Sequence, residues 1–347
     1  MKITVQRVSA KAPCRVDLAG GTLDIWPLYL YHPGAVTVNF AVDRYASCVV
    51  ELRRDARIVL RSLDLEGEEA FPSLKALAAA RKYRLPIPAR LVRYYAPPHG
   101  LTITTHSEAP AGAGISGSSA LMIALTSALH RLHVTPTLPR ETLRIIAQNV
   151  EAQVIRVPTG CQDYYPALYG GVNAIELTEA GIIRRRLDVD FDDLNERVVL
   201  AYTGAPRQSG INNWQVMKAH IDGARAVHRN FDRIAVIATA MRGAVERADW
   251  TEVGRLLREE WAHRRRNAPG ISTPLIDRLV EVTRKAGATG AKVCGAGGGG
   301  CVLFLVERGA RVRVAAAIAR EGATVLPVRV AARGVQVHLE RSGDGDA

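Results

Sequence analysis

Four stretches carry the residues that can do chemistry in this chain. From Pro110 to Ala120 the sequence reads PAGAGISGSSA. Gly112, Ala113, Gly114, Ile115 and Gly117 follow an apolar, Thr-rich run and precede an apolar helical pattern. A loop of this kind brings bare backbone N–H groups and the positive end of a helix dipole to one point, which suits a phosphate. Ser116, Ser118 and Ser119 close the loop, and a hydroxyl at a helix start can reach a divalent cation. The plainer reading is a Gly/Ser turn with Ser119 as N-cap, but three glycines and three serines exceed what a cap needs. The spelling G-x-G-x-x-G matches the dinucleotide loop formally. That loop needs an acid about 20 positions on, where Thr137 stands instead.

The second stretch runs from Arg15 to Asp24, RVDLAGGTLD. A Gly20-Gly21 turn at a strand end sets Arg15 and Asp24 near one mouth. Asp24 there either accepts hydrogen bonds from substrate hydroxyls or caps the turn. The third holds Glu151 and Asp163, with Asp163 lying after the Pro158-Thr-Gly160 turn and before YYPALY and Gly170-Gly171. A carboxylate at such an apolar border can be desolvated and tuned as a base. Glu151, on the preceding helix, is either a magnesium ligand or a solvated helix residue. The fourth is Gly295-Ala-Gly-Gly-Gly-Gly300, which includes Gly297 and Gly298. Consecutive glycines are conformationally costly, and are expected where backbone must approach a ligand or another loop closely.

Elements must position these groups. Apolar alternation predicts strands over Met1–Val8, Lys11 onward, Arg57–Leu63 and Leu101–Thr105. Ala35–Leu52 reads as two strands forming a meander or hairpin. Ser119–Leu132 is a helix too apolar for the surface and is expected to be central. Thr137–Val157 is a second long helix, and 172–177 with 181–187 a hairpin. The acidic segment Asp188–Glu196 is the candidate interdomain link. After it come helices over 212–228, 230–248, 251–264 and 273–286, two strands around the glycine run, a helix and further strands. Segregated runs of this kind indicate α+β domains.

Composition narrows the class. The chain has 347 residues, 48% hydrophobic and 23% charged, enough for one large or two medium domains. Its net charge of +12 comes mostly from scattered arginines, with short clusters at 184–186 and 264–266. With aromatics at 5%, this points to a basic surface attractive to anionic substrates and away from a nucleic-acid face. The five cysteines form no metal or disulfide framework, and the first residues have no apolar signal core. The expectation is a cytoplasmic protein without membrane or nucleic-acid partners, as a monomer or homodimer.

Taken in order, the four stretches resemble the GHMP kinase superfamily, the group of galactokinase, homoserine kinase, mevalonate kinase and phosphomevalonate kinase. PAGAGISGSSA is similar to its nucleotide loop, RVDLAGGTLD to its N-terminal substrate motif, and KVCGAGGGGC to its third motif. The Gly-Gly of the first motif, GCQDYYPALYGGVNAIE, AYTG from Ala201 and GISTP from Gly270 resemble the branch of D-glycero-D-manno-heptose 7-phosphate kinase. The resemblance implies an α+β fold of two domains. A ribosomal-protein-like N-terminal domain over 1–190 would bind nucleotide, and a ferredoxin-like C-terminal domain would span 191–347. It implies ATP and Mg²⁺ as cofactors and a sugar or sugar phosphate as acceptor, phosphorylated at the anomeric hydroxyl. It also implies roles. Asp163 is the catalytic base and Arg15 its basic partner; Ser118 and Glu151 bind magnesium. Pro110, Gly112 to Ser119, Gly297 and Gly298 hold the nucleotide. Asp24, Gly20, Gly21 and Gly171 meet the substrate. A phosphorylated acceptor would also want a basic pocket, for which Arg207 and the 264–266 cluster are candidates, or else they are solvated charges. Departures are Ile-Ser-Gly-Ser-Ser in the loop, Thr22-Leu23 before Asp24, Cys161, and the bulk of Tyr164 and Tyr165. The alternatives are a GHMP-type kinase of a mevalonate- or homoserine-class alcohol, and an inactive relative that binds nucleic acid.

Overall fold

The computed structural model describes residues 5–133, 138–206 and 209–341. The first half supplies strands β1 (Val5–Ala19), β2 (Val36–Leu52), β3 (Ile58–Ser62) and β4 (Gly67–Phe71), then helices α1 (Leu74–Ala79) and α2 (Pro86–Tyr95). It continues with β5 (Leu101–Ser107), α3 (Gly117–His133), α4 (Arg140–Ile155), α5 (Tyr164–Tyr169), β6 (Val172–Thr178) and β7 (Gly181–Leu187). The second half begins with α6 (Phe191–Arg197), β8 (Val198–Tyr202), α7 (Ser209–Ile221), α8 (Arg225–Glu246) and α9 (Trp250–Arg264). It ends with α10 (Pro274–Ala286), β9 (Ala288–Val293), β10 (Cys301–Val306), α11 (Arg311–Arg320), β11 (Thr324–Leu326) and β12 (Gln336–Arg341).

Two sheets organise these elements. The larger runs β12-β1-β2-β5-β3-β4, with β6 and β7 joined to the other half of β2. The smaller runs β11-β8-β10-β9. Helices segregate from strands along the chain, as the pattern predicts, and the fold is α+β. The last strand, β12, returns to pair with β1 in the first sheet. A division at 190/191 therefore leaves one strand of the first sheet on its far side. Among the described residues no helix is long and apolar enough to cross a membrane.

The expected hairpin over 35–52 is instead one strand of 17 residues. Asp43 and Arg44 read as turn residues, but their polar groups are held by the C-terminal segment. Asp43 N–H donates to the Arg329 carbonyl, and Arg44 donates to the Pro327 carbonyl. The register against β1 shifts at this point. The strand bends there, pairing with β6 before the shift and with β5 after it. The helix break expected near 229 falls at 222–224, where Gly223 has a φ of +81°. The acidic link is not extended: Asp190 caps α6 by accepting from the N–H groups of Asp192 and Asp193.

α3 is the central helix. Met122, Ile123, Leu125 and Leu129 are fully buried between the large sheet and α4. Each contributes roughly 1.5–3 kcal/mol of burial free energy. That packing fixes the N-terminal turn of α3, and with it the glycine loop.

Candidate active site

The end of β1, the loop before α3, the middle of α4 and the start of α5 meet at one cleft. Arg15, Asp24, Ser118, Ser119, Glu151 and Asp163 all line it. These are residues that sequence reasoning had picked from three separate stretches. Thr22, Thr159, Gln162, Arg264, Gly295 and Ala296 are also in its walls. A second cavity lies beside it, lined by Pro110 to Gly114, Ser116, Gly117 and Ser118. Ser118 belongs to both.

Arg15 is the joint between the cleft and the loop. Its Nη2 lies 2.6 Å from Asp163 Oδ1, and its Nε donates to the same oxygen at 2.8 Å. Its Nη1 donates to the Gly114 carbonyl at 2.7 Å, while its backbone N–H donates to the Ile115 carbonyl. Burial opposes the charge on Arg15, but Asp163 and Asp17 outweigh it and raise its pKa. Ile115 itself packs in the core, so it anchors the loop without lining the cavity.

Glu151 is buried on α4. One carboxylate oxygen accepts from Ser118 Oγ at 2.7 Å, the other from the Tyr164 hydroxyl at 2.6 Å. Burial raises its pKa, and hydrogen bonds from Tyr164, Ser118 and Ser119 oppose the rise. The bulk of Tyr164 thus has a reason: its ring fills the core and its hydroxyl orients Glu151. A hard-oxygen pair at the mouth of a phosphate-shaped loop fits Mg²⁺. The loop fits an anion as well, because Ser116 adopts a φ of +63° and its buried Oγ has no partner.

Asp24 is buried beside Gly160, where a Cβ would lie 1.9 Å from Asp24 Oδ2 and force that carboxylate to shift. That oxygen accepts from the Gln162 N–H at 2.9 Å. Burial, then the charge of Asp163, pushes Asp24 up to about 6. Gly20 has a φ of +82°, and a Cβ on it would meet the Val36 carbonyl at 2.1 Å. Thr22 carries a φ of +79°, a strained value for a β-branched residue. Its Oγ1 accepts from Arg264.

A group that sequence reasoning missed lies beneath the cleft. Lys292 is fully buried, with its Nζ 2.6 Å from Asp17 Oδ2 and 3.1 Å from Glu260 Oε1. Asp17 also accepts from the Gly295 N–H and faces Arg15 Nη1 at 3.6 Å. Burial alone would raise the Asp17 pKa; Lys292, then Arg15 and Arg264, hold it well below the usual carboxylate range. No local signal marks it, because the three residues come from β1, α9 and β9 and meet only in the fold.

Several expected contacts fall elsewhere. Gly171 donates to the Ala331 carbonyl and accepts from the Ala41 N–H, so it knits strands and does not line the cleft. In the glycine run, Gly295 and Ala296 reach the cleft, whereas Gly297 packs on Ile271 and Gly298 donates to the Ile271 carbonyl. Arg264 lines the cleft, but its Nη atoms bond the carbonyls of Gly21 and Gly295. Arg265 and Arg266 line a different cavity, between α9 and α10. Arg207 lies outside the described residues.

Comparison with known proteins agrees with this geometry. Residues 76–171 match the model of the GHMP kinase N-terminal domain, and residues 241–324 that of the GHMP kinase C-terminal domain. The chain belongs to the GHMP kinase family. It is therefore an ATP-dependent phosphotransferase with an alcohol acceptor. It is 25% identical over 327 residues to D-glycero-alpha-D-manno-heptose 7-phosphate kinase of Campylobacter jejuni, covering 91% of this chain and 94% of that one. It is 27% identical over 359 residues to a mevalonate kinase of Thermococcus onnurineus, covering 95% and 98%. A solved D-glycero-D-manno-heptose 1-phosphate kinase from Bacteroides thetaiotaomicron shares the fold, with a TM-score of 0.75, 24% identity and coverage of 95% and 98%.

Proposed function

We propose that this GHMP kinase phosphorylates a sugar or sugar phosphate, at the anomeric hydroxyl of a heptose 7-phosphate-like acceptor. The observation that carries the reading is the convergence of Asp163, Arg15, Asp24, Glu151 and Ser118 on one cleft that adjoins the glycine loop. The polar wall of Asp24, Thr22, Thr159 and Gln162 suits an acceptor with several hydroxyls. The similarity to the Campylobacter jejuni kinase over 94% of its length supports the same acceptor class.

In this reading the nucleotide phosphates lie along Gly112 to Gly117. Ser118 and Glu151 would hold a Mg²⁺ ion accompanying them, which would supply neutralisation of phosphate charge. Asp24 accepts hydrogen bonds from sugar hydroxyls. Asp163 takes the proton of the attacking hydroxyl as the γ-phosphoryl group is transferred to that oxygen and ADP leaves. Arg15 fixes the orientation of Asp163 and ties it to the loop. Catalysis of this type rests on positioning and charge neutralisation. A division into a nucleotide-binding unit over 1–190 and a C-terminal unit over 191–347 is part of the same proposal.

The test is ADP release against free and phosphorylated hexoses and heptoses, with mevalonate and homoserine alongside, and ³¹P NMR of the product. Turnover with an aldose and a phosphate ester on its anomeric carbon is expected. Turnover confined to mevalonate or homoserine would overturn the sugar assignment. Absence of turnover with salt-dependent nucleic-acid binding would overturn the kinase reading for this chain.

A further inference from the structure

Three histidines from three separate segments meet away from the cleft. His32 follows the short 3₁₀ turn Leu28–Tyr31, His220 lies on α7 and His228 on α8. One ring nitrogen from each lies within 4.8 Å of one from each of the others. His32 and His220 are buried, at 2% and 1% exposure. We propose that His32, His220 and His228 form a binding site for a zinc-class divalent cation, which fastens the turn after the Asp24 loop to α7 and α8.

The hydrogen bonds around the cluster assign its tautomers. His32 Nδ1 lies 2.8 Å from Asp232 Oδ1. A carboxylate accepts, so Nδ1 carries the proton and Nε2 presents its lone pair inward. His228 Nε2 lies 2.8 Å from the His220 carbonyl, so it too donates, and Nδ1 is left as a donor atom for a metal. Metal-binding histidines are commonly oriented in this way, the outer nitrogen donating to a carboxylate or carbonyl. His32 Nε2 and His220 Nε2 face each other at 2.8 Å, sharing one proton. The buried Nδ1 of His220 has no partner. A cation taking the place of the shared proton sends that proton to Nδ1.

Three neutral imidazoles suit Zn²⁺, whose bonds to histidine nitrogen run about 2.0–2.1 Å and leave ligand atoms about 3.3 Å apart. Reaching that spacing from 4.8 Å at most asks for a shift of about 1.5 Å and a turn of the stacked His220 and His228 rings. The proposal is independent of the acceptor sugar.

The experiment uses the full chain stripped of metal with a chelator. Titration with Zn²⁺ against a chromophoric competitor is expected to give one tight site per chain and a higher Tm. Co²⁺ is expected to give a visible d–d band at the same stoichiometry. Both are expected to be lost in His220→Gln and in His228→Gln, and Asp232→Asn to weaken binding roughly 10- to 100-fold. Glu151→Gln is expected to keep the band, separating this site from the Mg²⁺ position. A band that survives both histidine variants, or one abolished by Glu151→Gln, overturns the proposal, as does the lack of stoichiometric binding. Should His220→Gln fail to fold by circular dichroism, the half-buried His228→Gln decides.

Discussion

Arg15 holds Asp163 at 2.6 Å with one Nη while the other donates to the Gly114 carbonyl at 2.7 Å. One side chain therefore sets the distance between the proposed base and the proposed phosphate loop. Lysine offers a single ammonium and cannot span both contacts with the same fork. Arg15→Lys is expected to lower kcat by about 10²–10³-fold, the cost of losing one preorganised donor. Asp163→Asn removes the proton acceptor and is expected to lower kcat by roughly 10²–10⁴-fold with little change in KM. Steady-state kinetics with ADP release reads both. Full activity in Asp163→Asn would remove the base assignment.

Asp24 gives the pH dependence. Its pKa in the fold is about 6, against 3.8 for an exposed aspartate. The folded protein holds the proton more tightly, so the contribution to stability is full below about pH 4 and lost as pH rises through about 6. A shift of this size is worth about 3 kcal/mol. Asp24→Asn is expected to flatten this part of the stability profile, read as the difference in denaturation midpoint between pH 4 and 7. The same ionisation makes Asp24 a better acceptor, so KM for the sugar is expected to fall as pH rises through 6 in the wild type and not in the variant.

Lys292 bridges two buried carboxylates, Asp17 at 2.6 Å and Glu260 at 3.1 Å. Removing the cation leaves both without it in the interior. Lys292→Met is expected to destabilise the fold by about 3–5 kcal/mol, measured by urea denaturation. The double change of Lys292→Met with Asp17→Asn is expected to recover part of that loss, because one charge then no longer needs a partner.

The elements that carry the site were legible because local rules hold there. The apolar stripe of α3 and the Gly/Ser loop before it mark a buried helix and its N-terminus, and Ser118, Glu151 and Asp163 line one cleft. What was not legible depends on pairing between distant segments. Asp43 and Arg44 look like a turn until the 327–329 segment holds them. Gly171 looks like a substrate contact until both its backbone groups join strands. The Lys292 triad is dispersed over β1, α9 and β9, so no local window contains it.

Two glycines give separate handles on the proposed sugar side and the proposed nucleotide side of the cleft. A Cβ on Gly160 would lie 1.9 Å from Asp24 Oδ2, a contact that no rotamer of alanine avoids. Asp24 must move, and with it the acceptor proposed for the sugar. A Cβ on Gly300 would lie 2.7 Å from the Ala113 carbonyl, which also accepts from the Cys301 N–H at 2.6 Å. Gly300 has a φ of +78°, so alanine is strained there in addition. This substitution presses on the proposed phosphate loop at Gly112 and Ala113, away from Asp24. Gly160→Ala is therefore expected to raise KM for the sugar at least about tenfold with KM for ATP nearly unchanged, and Gly300→Ala the reverse, since about 1.4 kcal/mol of lost binding suffices for either. Measuring both constants in both variants checks the division. If each variant raises both constants equally, the two sides of the cleft are not separate binding sites.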